Sequence, residues 1–146
     1  MVKQVITLCV AFLMLPVILF ACSNQKEIYY SSYSTIVVST AENDSANSTD
    51  IHLFADQHLP TFEALLQSSD VQGPVKHSYP NIQYTCHLES ISNTSVIKIV
   101  VKSNEGDSLQ DVCNAITENF CRVVNSTTEF SASLLAKASA VTETPN

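Results

Sequence analysis

The chain has 146 residues, two glycines, no tryptophan and a formal net charge of −7. That length holds one domain and not two. The acidic balance argues against DNA or RNA as a partner, because phosphate backbones are met by cationic surfaces, and two glycines cannot build a phosphate-cradling loop.

The first element is the uncharged run Val5–Cys22, VITLCVAFLMLPVILFAC, preceded by Lys3. As a helix it would be roughly 27 Å long, close to the hydrocarbon thickness of a bilayer. Three readings stay open. A retained membrane anchor has sufficient length and tolerates Pro16. A cleaved secretory signal has the charged start, although its apolar core is usually about 7–15 residues. A bacterial lipoprotein signal is suggested by Leu19-Phe20-Ala21-Cys22, with Cys22 as the lipidation residue. All three leave the amino terminus in the cytoplasm and the chain from Ser23 onward outside, by the positive-inside rule. The expected division is 1–22 as anchor or signal, 23–140 as an extracytoplasmic α+β domain and 141–146 as an extended tail. The outer part carries six basic and fourteen acidic residues, a net −8. That disfavours close docking on anionic lipid.

Tyr29–Thr40 is rich in β-formers and predicts a strand leaving the membrane. Ala41–Asp50 reads as a polar loop. Asp56–Val71 predicts a helix with Phe62, Leu65 and Leu66 on one face and Pro60 near its start. Gln72-Gly73-Pro74 is expected to break it. In Ile82–Glu89 the residues Ile82, Tyr84, Cys86 and Leu88 alternate with polar ones, as in a strand with one buried face. Val96–Lys102 predicts a second strand, joined to the first as an antiparallel hairpin across Ser92-Asn93-Thr94. Ser108 and Asp111 resemble a capping box. Leu109, Val112, Cys113, Ile116, Phe120 and Cys121 follow at helical spacing, so the helix should pack on Ile97, Ile99 and Val101. Phe130–Leu135 is a last candidate strand, followed by the tail Val141–Asn146.

Chemistry-bearing residues do not converge in the sequence. His52, His58, His77 and His87 show no close metal spacing, and His77, His87 and Cys86 make no recognisable ligand set. No Gly-x-Ser-x-Gly elbow is present, and the acids are scattered. No catalytic, cofactor-binding or metal residue is assigned, and no enzymatic activity is expected. Cys113 and Cys121 lie about 12 Å apart along a helix and cannot bond to each other. Cys86 can pair with one of them, or all three are small buried residues. Asn-x-Ser/Thr sequons start at Asn43, Asn47, Asn93 and Asn125.

The order of the pieces resembles the Wzz-type chain-length determinants, or polysaccharide co-polymerases, in the branch that modulates tyrosine kinases of capsule synthesis. The resemblance is carried by the apolar span running into Tyr30–Val38, by Gln57, Thr61-Phe62, Leu65, Ser68 and Val71, by the strand Ser92–Val101, by the helix Leu109–Phe120 with Asn114, and by Ala136-Lys137-Ala138 with Pro145. It covers most of the chain. It implies a truncated member that ends before the second transmembrane helix, has about four residues before its anchor, and lacks the long helical arm of larger relatives. It further implies a non-enzymatic membrane protein of surface or capsular polysaccharide biosynthesis, acting on chain length or export. Its partners would be the membrane, a homo-oligomer or full-length relative, and a polysaccharide polymerase or tyrosine kinase. The alternative is an envelope lipoprotein acylated at Cys22, with a ligand- or partner-binding α+β domain. The expected fold is α+β: an N-terminal transmembrane helix followed by a small antiparallel sheet packed with two helices.

Overall fold

The computed structural model describes residues 28–40, 48–92 and 94–145. β1 (Ile28–Thr40) is a thirteen-residue strand in which Ser32, Ser34, Ile36 and Val38 are buried on one face. It is followed by α1 (Ser48–Leu66) and α2 (Ser69–Ser78). The hairpin strands β2 (Tyr84–Ser90) and β3 (Val96–Ser103) come next, then α3 (Leu109–Thr127). β4 (Phe130–Ala136) and β5 (Thr142–Pro145) complete the chain order. The antiparallel strands are ordered β2-β3-β1-β4, and β5 pairs with the start of β1. β3 therefore lies between β1 and β2, which is the split βαβ arrangement of ferredoxin-like folds. The hairpin forms as predicted, with Cys86 opposite Val101 and Leu88 opposite Ile99.

The helices cover one face of the sheet, and α3 supplies most of the seam. Leu109, Val112, Cys113, Ile116, Thr117, Phe120, Val123 and Val124 are buried at three- and four-residue spacing. They join Ile97, Ile99 and Val101 in one core, as their patterning predicts. Phe62 of α1 meets Phe120 edge-on at 6.3 Å and Phe130 at 5.2 Å, which locks α1, α3 and β4 together. A buried polar seam runs between β1 and α3. Ser34 and Thr117 share a hydroxyl hydrogen bond, and Thr117 donates to the Cys113 carbonyl at 2.8 Å. Small side chains here let the helix approach the strand closely while keeping every hydroxyl paired.

The expected architecture needs correction. Three helices pack on the sheet rather than two, and among the described residues no helix is long and apolar enough to cross a membrane. Val5–Cys22, on which the transmembrane-helix expectation rested, lies outside the described residues. The single helix expected over Asp56–Val71 is two. α1 starts earlier, at Ser48, and stops at Leu66, where the buried Gln72 reaches back and donates from Nε2 to the Leu66 carbonyl at 2.6 Å. That bond satisfies a carbonyl that the ended helix leaves open. Gln72-Gly73-Pro74, expected to break a helix, sits inside α2. Proline there removes the amide that would bond the carbonyl four residues earlier. That carbonyl belongs to Asp70, and Arg122 Nη2 donates to it at 3.2 Å.

One further expectation differs. Ser108 precedes α3 in a left-handed conformation (φ 62°) and makes no side-chain capping bond, so the capping box with Asp111 does not form. Within the extended tail expected over 141–146, Thr142–Pro145 forms β5, since β1 extends beyond the reach of β4 and offers a free edge. Gly106, just before α3, is required by close approach: a Cβ there would lie 2.9 Å from the Tyr30 ring.

Candidate functional site

The sheet has one face under the helices and one face open. Across the open face His87 stands opposite Val100 and Val100 opposite Tyr33; Glu89 stands opposite Lys98 and Lys98 opposite Thr35; Thr85 stands opposite Lys102 and Lys102 opposite Ser31. Lys98 Nζ lies 5.0 Å from the centre of the Tyr33 ring, a cation–π contact. At the end of the sheet where β1 and β2 begin and β3 ends, this face deepens into an open groove of about 530 Å³. Tyr29, Tyr84, Thr85, Lys102 and Asn104 are among its lining residues.

The wall of this groove is fixed from behind. Tyr84 donates its hydroxyl to Gln72 Oε1 at 2.9 Å, and Gln72 Nε2 lies 3.2 Å from the Cys86 thiol. Gln67 Nε2 donates to the Cys86 carbonyl at 2.9 Å. Burial, with Cys86 beside it, pushes the Tyr84 phenol up to about 12. The phenol is therefore neutral at any physiological pH. On the floor, Ser103 donates to the Gln83 carbonyl at 2.7 Å and accepts from the Glu105 amide at 3.0 Å. The lining residues supply amides and hydroxyls, one ammonium and the Tyr29 ring, while the Tyr84 phenol is turned back to Gln72 on the helix side. The lining contains no carboxylate, imidazole or thiol. Such a surface is suited to non-covalent binding of a polar, polyhydroxylated or singly anionic group.

The residues singled out in the sequence do not meet at this groove. Cys22, the lipidation position of the alternative reading, lies outside the described residues, as do Asn43, Asn47 and Asn93. Cys86, Cys113 and Cys121 are all free thiols. Burial raises the pKa of each, that of Cys121 to about 11. His87 points to the open face beside Glu89, at 3.2 Å, whereas its neighbour Cys86 is buried on the helix face. His77 is exposed on α2, and His58 packs on the Phe130 ring at 4.8 Å. Among the described residues no three of His, Cys, Asp or Glu converge on a point that could hold a metal ion. Asn125 lies in α3, and its amide is engaged with the backbone of Ala132. Sequence reading missed Gln72 and Lys102. Gln72 stands in a segment that looks like a helix breaker, and Lys102 is one lysine on the polar face of a strand. Neither carries a motif.

No family model matches this chain, and no curated protein matches it. Among solved structures it is similar to the solution NMR structure of a de novo designed protein, LFR1 1, with ferredoxin fold. The two are 13% identical with a TM-score of 0.37, over 73% of this chain and 86% of the designed one.

Proposed function

We propose that the chain is a non-enzymatic, membrane-attached protein of surface-polysaccharide biosynthesis, modulating the length or export of the polymer. One observation carries the reading beyond sequence resemblance. β5 runs back along β1 so that Pro145 lies opposite Ile28. Both ends of the domain therefore leave it side by side. Five residues separate Ile28 from Cys22 at the end of the apolar run, a reach of at most about 22 Å. Attachment through that run would hold the β1–β5 end, and with it the groove at Tyr29 and Lys102, near the bilayer surface where an exported polymer emerges. Amides, hydroxyls and a tyrosine ring suit contact with sugars, and a groove lined this way acts by binding. Control of length would then run through contact with the growing chain, a polymerase or a tyrosine kinase. Deleting the gene and sizing the exported polysaccharide tests this. The expected result is a changed length distribution or yield; an identical profile from cells shown to express the protein would reject it.

The same groove gives support to a second reading, a ligand-binding envelope lipoprotein acylated at Cys22. Metabolic labelling with a fatty-acid analogue separates the two: label lost in Cys22→Ser supports acylation.

A further inference from the structure

An exposed lysine is ordinarily solvated and marks nothing, as Lys76 and Lys137 illustrate. Lys102 differs by its setting. It is the one charged residue lining the groove, and among the described residues no carboxylate lies within ion-pair distance of its ammonium. Its cross-strand neighbours on the open face, Thr85 and Ser31, are neutral. Glu89, on the same face, stands four residues farther along β2 than Thr85, about 13 Å away, and is held by His87 at 3.2 Å. The chain has fourteen acidic and seven basic residues, so a groove with a cation and no carboxylate is where an outside anion meets attraction rather than repulsion. Around the ammonium the lining offers Gln83, Thr85 and Asn104, whose side chains make no hydrogen bond among the described residues. Two amides and a hydroxyl supply donors and acceptors together, which is what adjacent sugar hydroxyls require. The strands that carry them are fixed beforehand. Ser103 donates to the Gln83 carbonyl at 2.7 Å and accepts from the Glu105 amide at 3.0 Å, while Gln72 holds Tyr84 at 2.9 Å. A wall set in place before binding loses less freedom on binding.

We propose that this groove binds a sugar bearing a carboxylate, a uronic acid unit, with Lys102 pairing the carboxylate and Gln83, Thr85 and Asn104 meeting the hydroxyls. One ammonium balances one negative charge, which selects a carboxylate. A terminal phosphate carries up to two charges and is met by several cations or by the amides of a helix start. No second cation and no helix start lines this groove. Its volume, about 530 Å³, falls within the ~300–1,000 Å³ of small-ligand sites. The groove is open to water, so a single unit binds weakly, and a polymer that repeats the unit binds more tightly. The sugar in this proposal rests on the polysaccharide reading; the preference for a single negative charge rests on the groove alone.

Nuclear magnetic resonance titration of the isotope-labelled full chain in uncharged detergent tests this. Glucuronate and galacturonate are each set against the neutral parent sugar, glucose or galactose. The expected result is a saturable shift of the Thr85, Lys102 and Asn104 amides with at least one of the two acids. Affinity should fall about tenfold for the neutral parent and in Lys102→Gln, as for the loss of one charge-assisted hydrogen bond. Lys102→Arg should stay close to native, and Lys137→Gln, which removes the same charge elsewhere, should change nothing. Equal affinity for acid and neutral sugar would overturn the proposal while leaving a sugar groove, and the polysaccharide reading, standing. Tighter binding of inorganic phosphate at the same amides would overturn it in favour of a phosphate, a lipid headgroup included. No shift with any of the four sugars would overturn it as well, and polymer sizing in the deletion strain would then judge the polysaccharide reading separately.

Discussion

The side chain that ties the most elements together is Gln72. It ends α1 through the Leu66 carbonyl, holds the Tyr84 hydroxyl and touches the Cys86 thiol, all while buried. Each bond satisfies a group that burial would otherwise leave unpaired, at a cost of about 1–3 kcal/mol. Ser68, close by at the start of α2, shows the opposite case: its hydroxyl is buried without a partner, although serine is a preferred residue at a helix start. The Tyr84 phenol gives this cluster a pH signature. Its folded pKa, about 12, stands above the ordinary value of 10.0 because burial disfavours the phenolate. Below about pH 10 the phenol is protonated in both states, and its neutral form contributes fully to stability. As pH rises from about 10 to 12, the unfolded phenol loses its proton first, so that contribution is progressively lost. The urea midpoint of the native protein should therefore fall more steeply across this window than that of Tyr84→Phe. Equal slopes would show that the phenol is not shielded.

At the scale of elements, α3 closes the sheet edge as well as filling the core. Asn125 pairs both polar groups of the Ala132 backbone, much as a neighbouring strand would. Asn125→Ala should leave the fold intact and open this edge locally, because β4 keeps its ladder to β1. Hydrogen exchange is the measurement: the Ala132 amide should exchange at least tenfold faster, with amides of β3 unchanged. Uniformly faster exchange would mean that the pair stabilises the whole domain rather than the edge. The helix pair α1–α2 shows a different lesson. A period of 3.6 runs through 56–71 and conceals the stop at Leu66, because the groups that make the stop lie elsewhere. Gln72 supplies the bond for one open carbonyl, and Arg122, 52 positions beyond Asp70, supplies it for the other.

For the whole molecule, the decisive contact joins its two ends. Ser31 and Thr142 are cross-strand partners with side-chain oxygens 3.1 Å apart and 111 positions between them in sequence. Cysteines at both positions should bond, since the spacing suits a disulfide. Closing so long a loop stabilises by roughly 4–5 kcal/mol in the chain-entropy model. Ser31→Cys/Thr142→Cys should thus show a raised urea midpoint when oxidised and return to the native value on reduction. An unchanged midpoint with the disulfide verified by mass would mean that β5 does not hold the ends together. Cys86 and Cys113 are buried and would not compete for the new thiols.

The sequence by itself determined the hairpin, the amphipathic α3 and the core that unites them. Alternation in 82–89 and 96–102 and helical spacing from Leu109 to Phe120 are local patterns, and each exposes an apolar face that only the other can cover. It also determined the acidic balance and the uncharged run before β1. Tertiary structure alone decided where α1 stops, why Pro74 is tolerated, and that the tail becomes a strand. In each case the deciding group is distant in sequence, a buried amide, an arginine on another helix, or a free edge of β1. The groove belongs to the same class. Tyr29, Tyr84 and Lys102 come from three strands and share no spacing, so only the strand order β2-β3-β1 brings them to one end of the sheet.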